Sequence, residues 1–110
     1  MSDIDPRPRV RVPATAAPGE VVLIRTLVNH PMENGQRREA DGSPVPRHII
    51  HRFQCHFDAE LVLDMAIEPS LAANPFIEFE AAVPHSGRFR FSWHDDNGAI
   101  YETAAEISIA

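Results

Sequence analysis

The sequence contains no lysine, so all 10 of its basic residues are arginine, and they are outnumbered by 16 acidic residues. The formal net charge is -6 at pH 7. Without a polybasic stretch, the chain has nothing that would follow a phosphate backbone or an anionic membrane surface. Nucleic acid and membrane are therefore not expected partners.

Cysteine and long apolar runs are also scarce. Cys55 is the single cysteine, which excludes a disulfide within the chain and leaves the redox compartment open. The N-terminal "MSDIDPRPRVRVP" lacks the apolar run of a secretory signal, and no segment reaches the ~18 apolar residues of a membrane-spanning helix. From these residues alone we expect a cytoplasmic protein.

Short segments of alternating polarity make up most of the 110 residues, a length that suits one domain with one core. Such alternation predicts β-strands, and "PHSG" and "DDNG" predict tight turns between them. We therefore predict an all-β fold, an immunoglobulin-like antiparallel β-sandwich of about seven strands. It forms a single domain over residues 1–110, with a flexible tail at residues 1–9. The predicted strands cover residues 10–12, 20–30, 46–57, 60–67, 76–83, 88–94 and 99–110.

One polar loop, from His30 to Pro46, is longer than a tight turn requires. Loops of about this length are usually functional or disordered, and the sequence leaves both interpretations open. Met32 is unusual among polar residues, and the adjacent Arg37 and Arg38 match the enrichment of Met and Arg in protein interfaces. The loop is therefore a candidate protein-binding surface.

A second candidate surface follows "EPSLAANP", a proline-bounded segment that predicts a crossover loop with room for one helical turn. Phe76, directly after Asn74 and Pro75, is either an exposed anchor for a partner or the first core residue of the next strand. Leu23 and Leu27 pose the same choice. In the strand predicted at residues 20–30 they share one face with the charged Arg25, and that face is either covered by a partner or turned toward the core.

Six histidines raise the question of a metal site. In an extended strand His48 and His51 point to opposite faces, and His48 and His56 lie roughly 26 Å apart. A metal site would need His30, Met32, His85 or His94 from other loops, and no spacing indicates that these converge. We therefore expect scattered surface histidines, and no metal or other cofactor.

Cys55 shares its predicted strand face with Phe53 and Phe57. That parity predicts a core thiol with a raised pKa and poor access, although a sulfur-carrying Cys55 is the alternative. No Ser, His and acid occur at a recognisable catalytic spacing, and no glycine-rich phosphate loop is present. We predict no active site.

Three segments together resemble the SoxZ family of bacterial thiosulfate oxidation: "TLVNHPMENGQRREADGSPVPRHII", "SLAANPFIEFEA" and "SGRFRFSWHDDNGAIY". The resemblance implies an immunoglobulin-like sandwich that is not an enzyme and that binds SoxY as a heterodimer. SoxY carries sulfur intermediates on a Cys in a Gly-rich C-terminal arm, and the pair is presented in turn to the other enzymes of the pathway. This chain ends in "EISIA", so the carrier arm would belong to SoxY. The resemblance also implies a periplasmic location, reached by export with the partner. A surface that accepts a related sandwich can also accept a second copy of itself, so a homodimer is a candidate state of the isolated chain.

In this interpretation the loop binds a partner, with Met32 as an apolar anchor. Arg37, Arg38 and Arg47 would then pair with carboxylates or with an anionic sulfur group. The alternative from another class is a small periplasmic copper-binding β-sandwich that uses His30, Met32 and other exposed histidines. The candidate partner-binding residues are Met32, Arg37, Arg38, Arg47, Asn74, Pro75 and Phe76.

Overall fold

The structure is a computed structural model that describes residues 5–68 and 72–110. The described residues form eight β-strands and no helix, and none of them lies in a helix able to cross a membrane. The strands are β1 (Arg9–Arg11), β2 (Thr15–Ala16), β3 (Glu20–Leu27), β4 (Ile50–Phe57), β5 (Glu60–Ala66), β6 (Phe76–Val83), β7 (Gly87–Asp95) and β8 (Ile100–Ile109).

Two sheets pack against each other. One has three strands in the order β1-β3-β6, and the other has five in the order β2-β8-β7-β4-β5. All pairings are antiparallel except that of β2 with β8. This arrangement confirms the predicted all-β, immunoglobulin-like sandwich. The extra strand is β2, which lies between the first two predicted strands and pairs with the end of β8.

Alternating residues of the facing sheets fill the core. Ile24 in β3 and Val28 just after it are fully buried, as the alternation of the strand predicted at residues 20–30 indicates. The largest contribution comes from aromatic rings of β4 and β7, and the ring of Phe53 also lies 6.1 Å from that of Phe79 in the opposite sheet. Because aromatic side chains bury large apolar areas, this layer accounts for much of the core's hydrophobic stabilisation. The fully buried aromatic residues are Phe53, Phe89 and Trp93, with Phe91 at 1% exposure.

Two register shifts in β4 overturn parts of the predicted alternation. The pairing with β7 shifts between Ile50 and Arg52, so Ile49 and Ile50 are both fully buried and the side chain of His51 is 44% exposed. Without the shift, alternation would place His51 on the same face as Phe53. The pairing with β5 shifts between Cys55 and His56, and Leu61 near the start of β5 is 52% exposed. An extra residue in one strand of a pair resets which side chains point inward.

The connection from β5 to β6 crosses from the five-stranded to the three-stranded sheet. Residues 72–75, the described end of the predicted crossover loop, contain no helical turn. The remainder of that predicted turn, at residues 69–71, lies outside the described residues.

Candidate functional site

The loop from His30 to Pro46 has backbone structure of its own. Glu33 and His48 exchange two backbone hydrogen bonds of 2.9 and 2.8 Å, and Arg38 and Pro44 form a second bridge. The amide of Val45 also donates to the carbonyl of Arg37 at 2.9 Å. These bonds fold the loop into a compact hairpin-like projection, so the disordered interpretation does not apply.

Met32 is a core residue and not the exposed apolar anchor that the sequence predicted. Its side chain is 6% exposed and belongs to the main hydrophobic cluster, and its backbone adopts a positive φ of 51°. The sulfur accepts the amide hydrogen of Ile50 at 3.3 Å. Met32 therefore fastens the loop to the body of the sandwich, which explains an apolar residue in this polar segment.

The three arginines predicted to bind a partner have hydrogen-bond acceptors within the chain. Arg37 donates twice to Glu33 at 3.0 and 2.7 Å, and Arg38 donates to a backbone carbonyl of the loop at 3.0 Å. Arg47 forms a bidentate pair with Asp96 at 2.8 and 3.0 Å, and this hydrogen bonding lowers the pKa of Asp96 to about 2. Their contacts stabilise the loop, and their role in partner binding stays a prediction.

A buried polar cluster joins this loop to the turn between β7 and β8. Asp95 is 2% exposed, and its Oδ2 accepts hydrogen bonds from His48 Nε2 at 2.9 Å and from the hydroxyl of Tyr101. His30 is 1% exposed, and its Nε2 lies 3.6 Å from the same oxygen. The His30 and His48 rings meet edge to face with centroids 4.9 Å apart. The expectation of scattered surface histidines is therefore wrong for His30.

The cluster's surroundings shift the pKa values of its members. Burial is the main cause of the lowered pKa of His30, and the nearby charge of His48 adds to it. Burial opposes ionisation of Asp95, but hydrogen bonds from Tyr101, His48 and two backbone amides outweigh it and lower the pKa of this carboxyl. Burial and the adjacent Asp95 raise the pKa of Tyr101. The cluster is therefore a buried carboxylate that accepts hydrogen bonds from Tyr101, His48 and two backbone amides.

Three potential metal-ligand atoms meet here, because one atom each of His30, His48 and Asp95 lies within 4.8 Å of the other two. Their hydrogen bonds do not suit a metal ion. Nδ1 of His30 accepts the amide hydrogen of Met32 at 3.0 Å, so a neutral ring carries its proton on Nε2 and has no lone pair there. Metal-binding histidines donate through the other ring nitrogen, the reverse of this arrangement. The Met32 sulfur is also engaged, so the geometry does not favour the copper alternative.

Cys55 is fully buried, and burial raises the pKa of its thiol to about 12. This confirms the predicted core position. A protonated thiol without solvent access is a poor nucleophile, so the alternative of a sulfur-carrying Cys55 is not supported.

The solvent-facing side of the three-stranded sheet, termed the outer face, carries unusual apolar exposure. Val21, Leu23 and Phe76 are 57%, 40% and 56% exposed. Leu23 and Phe76 are therefore surface residues, and Ile77 is the first core residue of β6. The strand register places the following residues on the outer face: Arg9, Arg11, Val21, Leu23, Arg25, Leu27, Phe76, Glu78, Glu80 and Ala82.

The two other residues of the second predicted surface stabilise the approach to β6. Asn74 adopts a positive φ of 53°, and its side chain accepts the amide hydrogen of His30 at 3.0 Å. The carbonyl of Pro75 accepts from Val28 at 3.4 Å. Both residues therefore position Phe76 at the edge of the outer face, and their own part in binding a partner stays a prediction.

The fold defines the class of protein, a small immunoglobulin-like β-sandwich, and solved structures share it. Superoxide reductase (neelaredoxin) from Ignicoccus hospitalis superposes with a TM-score of 0.70 at 19% identity, covering 94% of this chain and 80% of that one. A putative superoxide reductase from Thermotoga maritima gives 0.67 at 15% identity, covering 94% and 85%. The sulfur carrier protein SoxY from Chlorobium limicola f thiosulfatophilum gives 0.66 at 11% identity, covering 94% and 78%. At these identities the likeness shows the fold alone.

The sequence identifies the family within this class. The family described as sulphur oxidation protein SoxZ matches residues 10–106. The chain therefore belongs to the SoxZ family and is a sulfur-oxidation protein, as its motifs predicted. A comparison with curated protein sequences gives no match.

Proposed function

We propose that this chain is a non-catalytic subunit that binds SoxY and helps to present its sulfur-carrying arm to the enzymes of thiosulfate oxidation. The match to the SoxZ family over residues 10–106 is the observation that carries the proposal. The state of Cys55 supports it, because a fully buried thiol with a pKa of about 12 leaves the sulfur to be carried by another chain.

The outer face suits a protein partner better than solvent. Val21 and Leu23 on β3 expose apolar surface near one end of this face, and Phe76 on β6 does so beside Leu27 near the other end, with the Arg25–Glu78 pair between them. Exposed apolar side chains that share a sheet face are typical of interaction sites. Within the described part of the chain, β6 pairs with β3 alone, so its other edge is open to a further strand. We therefore assign the SoxY contact to the outer face and the β6 edge.

The test is a binding measurement between this chain and SoxY with two matched variants. Leu23→Arg places a charged side chain on the outer face, opposite Glu80, and is expected to weaken binding by at least about tenfold. Leu61→Arg makes the same change at an exposed position of β5 in the other sheet and is expected to bind like the wild type. Both positions are exposed strand positions, so the two variants should remain folded.

The outcomes separate the function from the surface. No complex between wild-type chain and SoxY, by calorimetry and by size-exclusion chromatography, would contradict the proposed function. If both variants weaken the complex equally, or if neither weakens it, the assignment of the SoxY contact to the outer face is wrong. A homodimer in the absence of SoxY is part of the proposal, since the same apolar surface would then lack its cover.

The periplasm is the proposed location, reached by export with the signal-bearing partner. Cell fractionation tests it by comparing cells that produce this chain with and without SoxY. We expect the chain in the periplasmic fraction only when SoxY is co-produced. Periplasmic recovery without SoxY would contradict co-export.

A further inference from the structure

Three arginines converge at one end of the outer face. In the antiparallel pairing of β1 with β3, Arg11 lies directly opposite Arg25, and Arg9 lies opposite Leu27. The intervening pair, Val10 and Thr26, points inward, and Thr26 is 1% exposed. Alternation therefore places all three guanidinium groups on the solvent side. We name this group, Arg9, Arg11 and Arg25, the arginine corner.

Like charges directly opposite each other on neighbouring strands are destabilising. Arg25 is compensated by Glu78 on its other side at 3.1 Å, whereas Arg9 donates to the neutral side chain of Asn29 at 2.6 Å. In residues 5–68 and 72–110, no carboxylate lies within ion-pair distance of Arg9 or Arg11. The corner is thus locally positive in a chain whose formal net charge is -6. Arg9 and Arg25 thus have acceptors within the chain, as the arginines of the loop do, and the Arg11 side chain has none among the described residues.

The arginine corner borders the apolar part of the outer face. Its three side chains line one shallow, open groove together with Leu27 and Phe76, which are themselves cross-strand partners. A positive and an apolar half therefore lie side by side. Exposed arginine next to an aromatic residue is the composition found at the energetic centres of protein interfaces.

We propose that the arginine corner binds carboxylate side chains of SoxY, which reach Arg11 and Arg9 while a neighbouring apolar side chain covers Leu27 and Phe76. The inference rests on the proposed function, since it names the chemistry by which the same partner is recognised. Planar guanidinium groups bind carboxylates through paired, charge-assisted hydrogen bonds. The apolar half favours a protein segment over a free oxyanion, because a small hydrated ion would gain nothing from Leu27 and Phe76.

The test compares Arg11→Gln with Arg88→Gln in binding to SoxY. Arg11→Gln removes one charge from the corner and is expected to weaken binding about tenfold at low salt. It is also expected to flatten the loss of affinity between about 50 mM and about 500 mM NaCl, because fewer charges remain to be screened. Arg88 lies on the other sheet, 57% exposed in an ion pair with Glu106, and its variant should bind like the wild type. The thermal unfolding temperature of the Arg11 variant should not fall, because a repulsive pair is removed.

Three results would overturn the inference. If Arg11→Gln binds SoxY with wild-type affinity and salt dependence while Leu23→Arg does not bind, the proposed function stands and the arginine corner has no part in it. If sodium sulfate alone produces saturable NMR shifts of the amides of residues 9–11 at submillimolar concentration, the corner is a free-oxyanion site. If the wild type fails to bind SoxY, the inference falls with the proposed function.

Discussion

Replacing Asp95 by asparagine is expected to destabilise this protein far more than the same acid-to-amide change at the surface. Asparagine has the same shape as aspartate and keeps one side-chain oxygen, in the place of Oδ1. That oxygen can still accept from the amides of Asn97 and Ala99, which Oδ1 accepts at 2.9 and 3.1 Å, so the turn itself should persist. In the wild type, His48 and Tyr101 both donate hydrogen bonds to Oδ2. In the variant an NH2 group, itself a donor, would take the place of Oδ2 and face these two donors.

The magnitude follows from those two lost acceptor contacts. Hydrogen bonds to a charged group contribute about 1.5–3 kcal/mol each, and Asp95 is only 2% exposed, so water cannot replace them. The Tyr101 hydroxyl can rotate to accept from the new amide, which recovers part of one contact. We therefore expect the free energy of unfolding to fall by about 2–3 kcal/mol.

Urea denaturation at neutral pH, followed by tryptophan fluorescence, measures this loss. Trp93 is fully buried two residues from the substitution, which makes it a sensitive reporter. Glu106→Gln is the matched control, because its ion pair with Arg88 is exposed on both sides and such pairs contribute little. A loss at Asp95 no larger than at Glu106 would refute the conclusion that the buried cluster holds the loop and the turn together.

Three further predictions concern separate contacts. Cys55 should react with a thiol reagent only in denaturant, because burial raises its pKa to about 12, and ready labelling of the native protein would contradict its core position. Hydrogen bonding to Arg47 lowers the pKa of Asp96 from 3.8 to about 2, so this carboxylate stabilises the fold above its unfolded pKa and ceases to do so as the pH falls through its folded value. Acid titration of the unfolding free energy should therefore show a smaller loss between those two values for Asp96→Asn than for the wild type. Gly87→Ala would place a methyl carbon 2.6 Å from the buried Phe57 ring and should cost about 2 kcal/mol of stability, which an unchanged thermal midpoint would exclude.

Much of the strand architecture was predictable because alternation of polarity has a direct physical meaning in a two-sheet fold. The segment "FIEFEAAV" predicted β6 with its bounds intact, and its buried positions are those that the alternation assigned. The prediction failed where an extra residue interrupts pairing. The side chains of Ile49 and Ile50 both point inward because of a register shift, and no local sequence pattern predicts that shift.

The buried cluster was not predictable for a related reason. His30 and His48 stand at the two ends of the long loop, and Asp95 begins a turn nearly fifty residues later. Only the packing of the two sheets brings them together, and spacing along the chain carries no trace of it. The sequence did single out Met32 as unusual, but apolar character alone does not separate an anchor for a partner from an anchor for the chain's own core.

The pairing of β2 with β8 has a consequence for how the chain acquires its structure during synthesis. Thr15 and Ala16 leave the ribosome long before Ser108 and Ile109, which are their strand partners. The strand order β2-β8-β7-β4-β5 thus places an early segment against a late one, and such distant pairings close slowly because the intervening chain must first be ordered. The five-stranded sheet therefore cannot be completed until residues 108 and 109 have also left the ribosome.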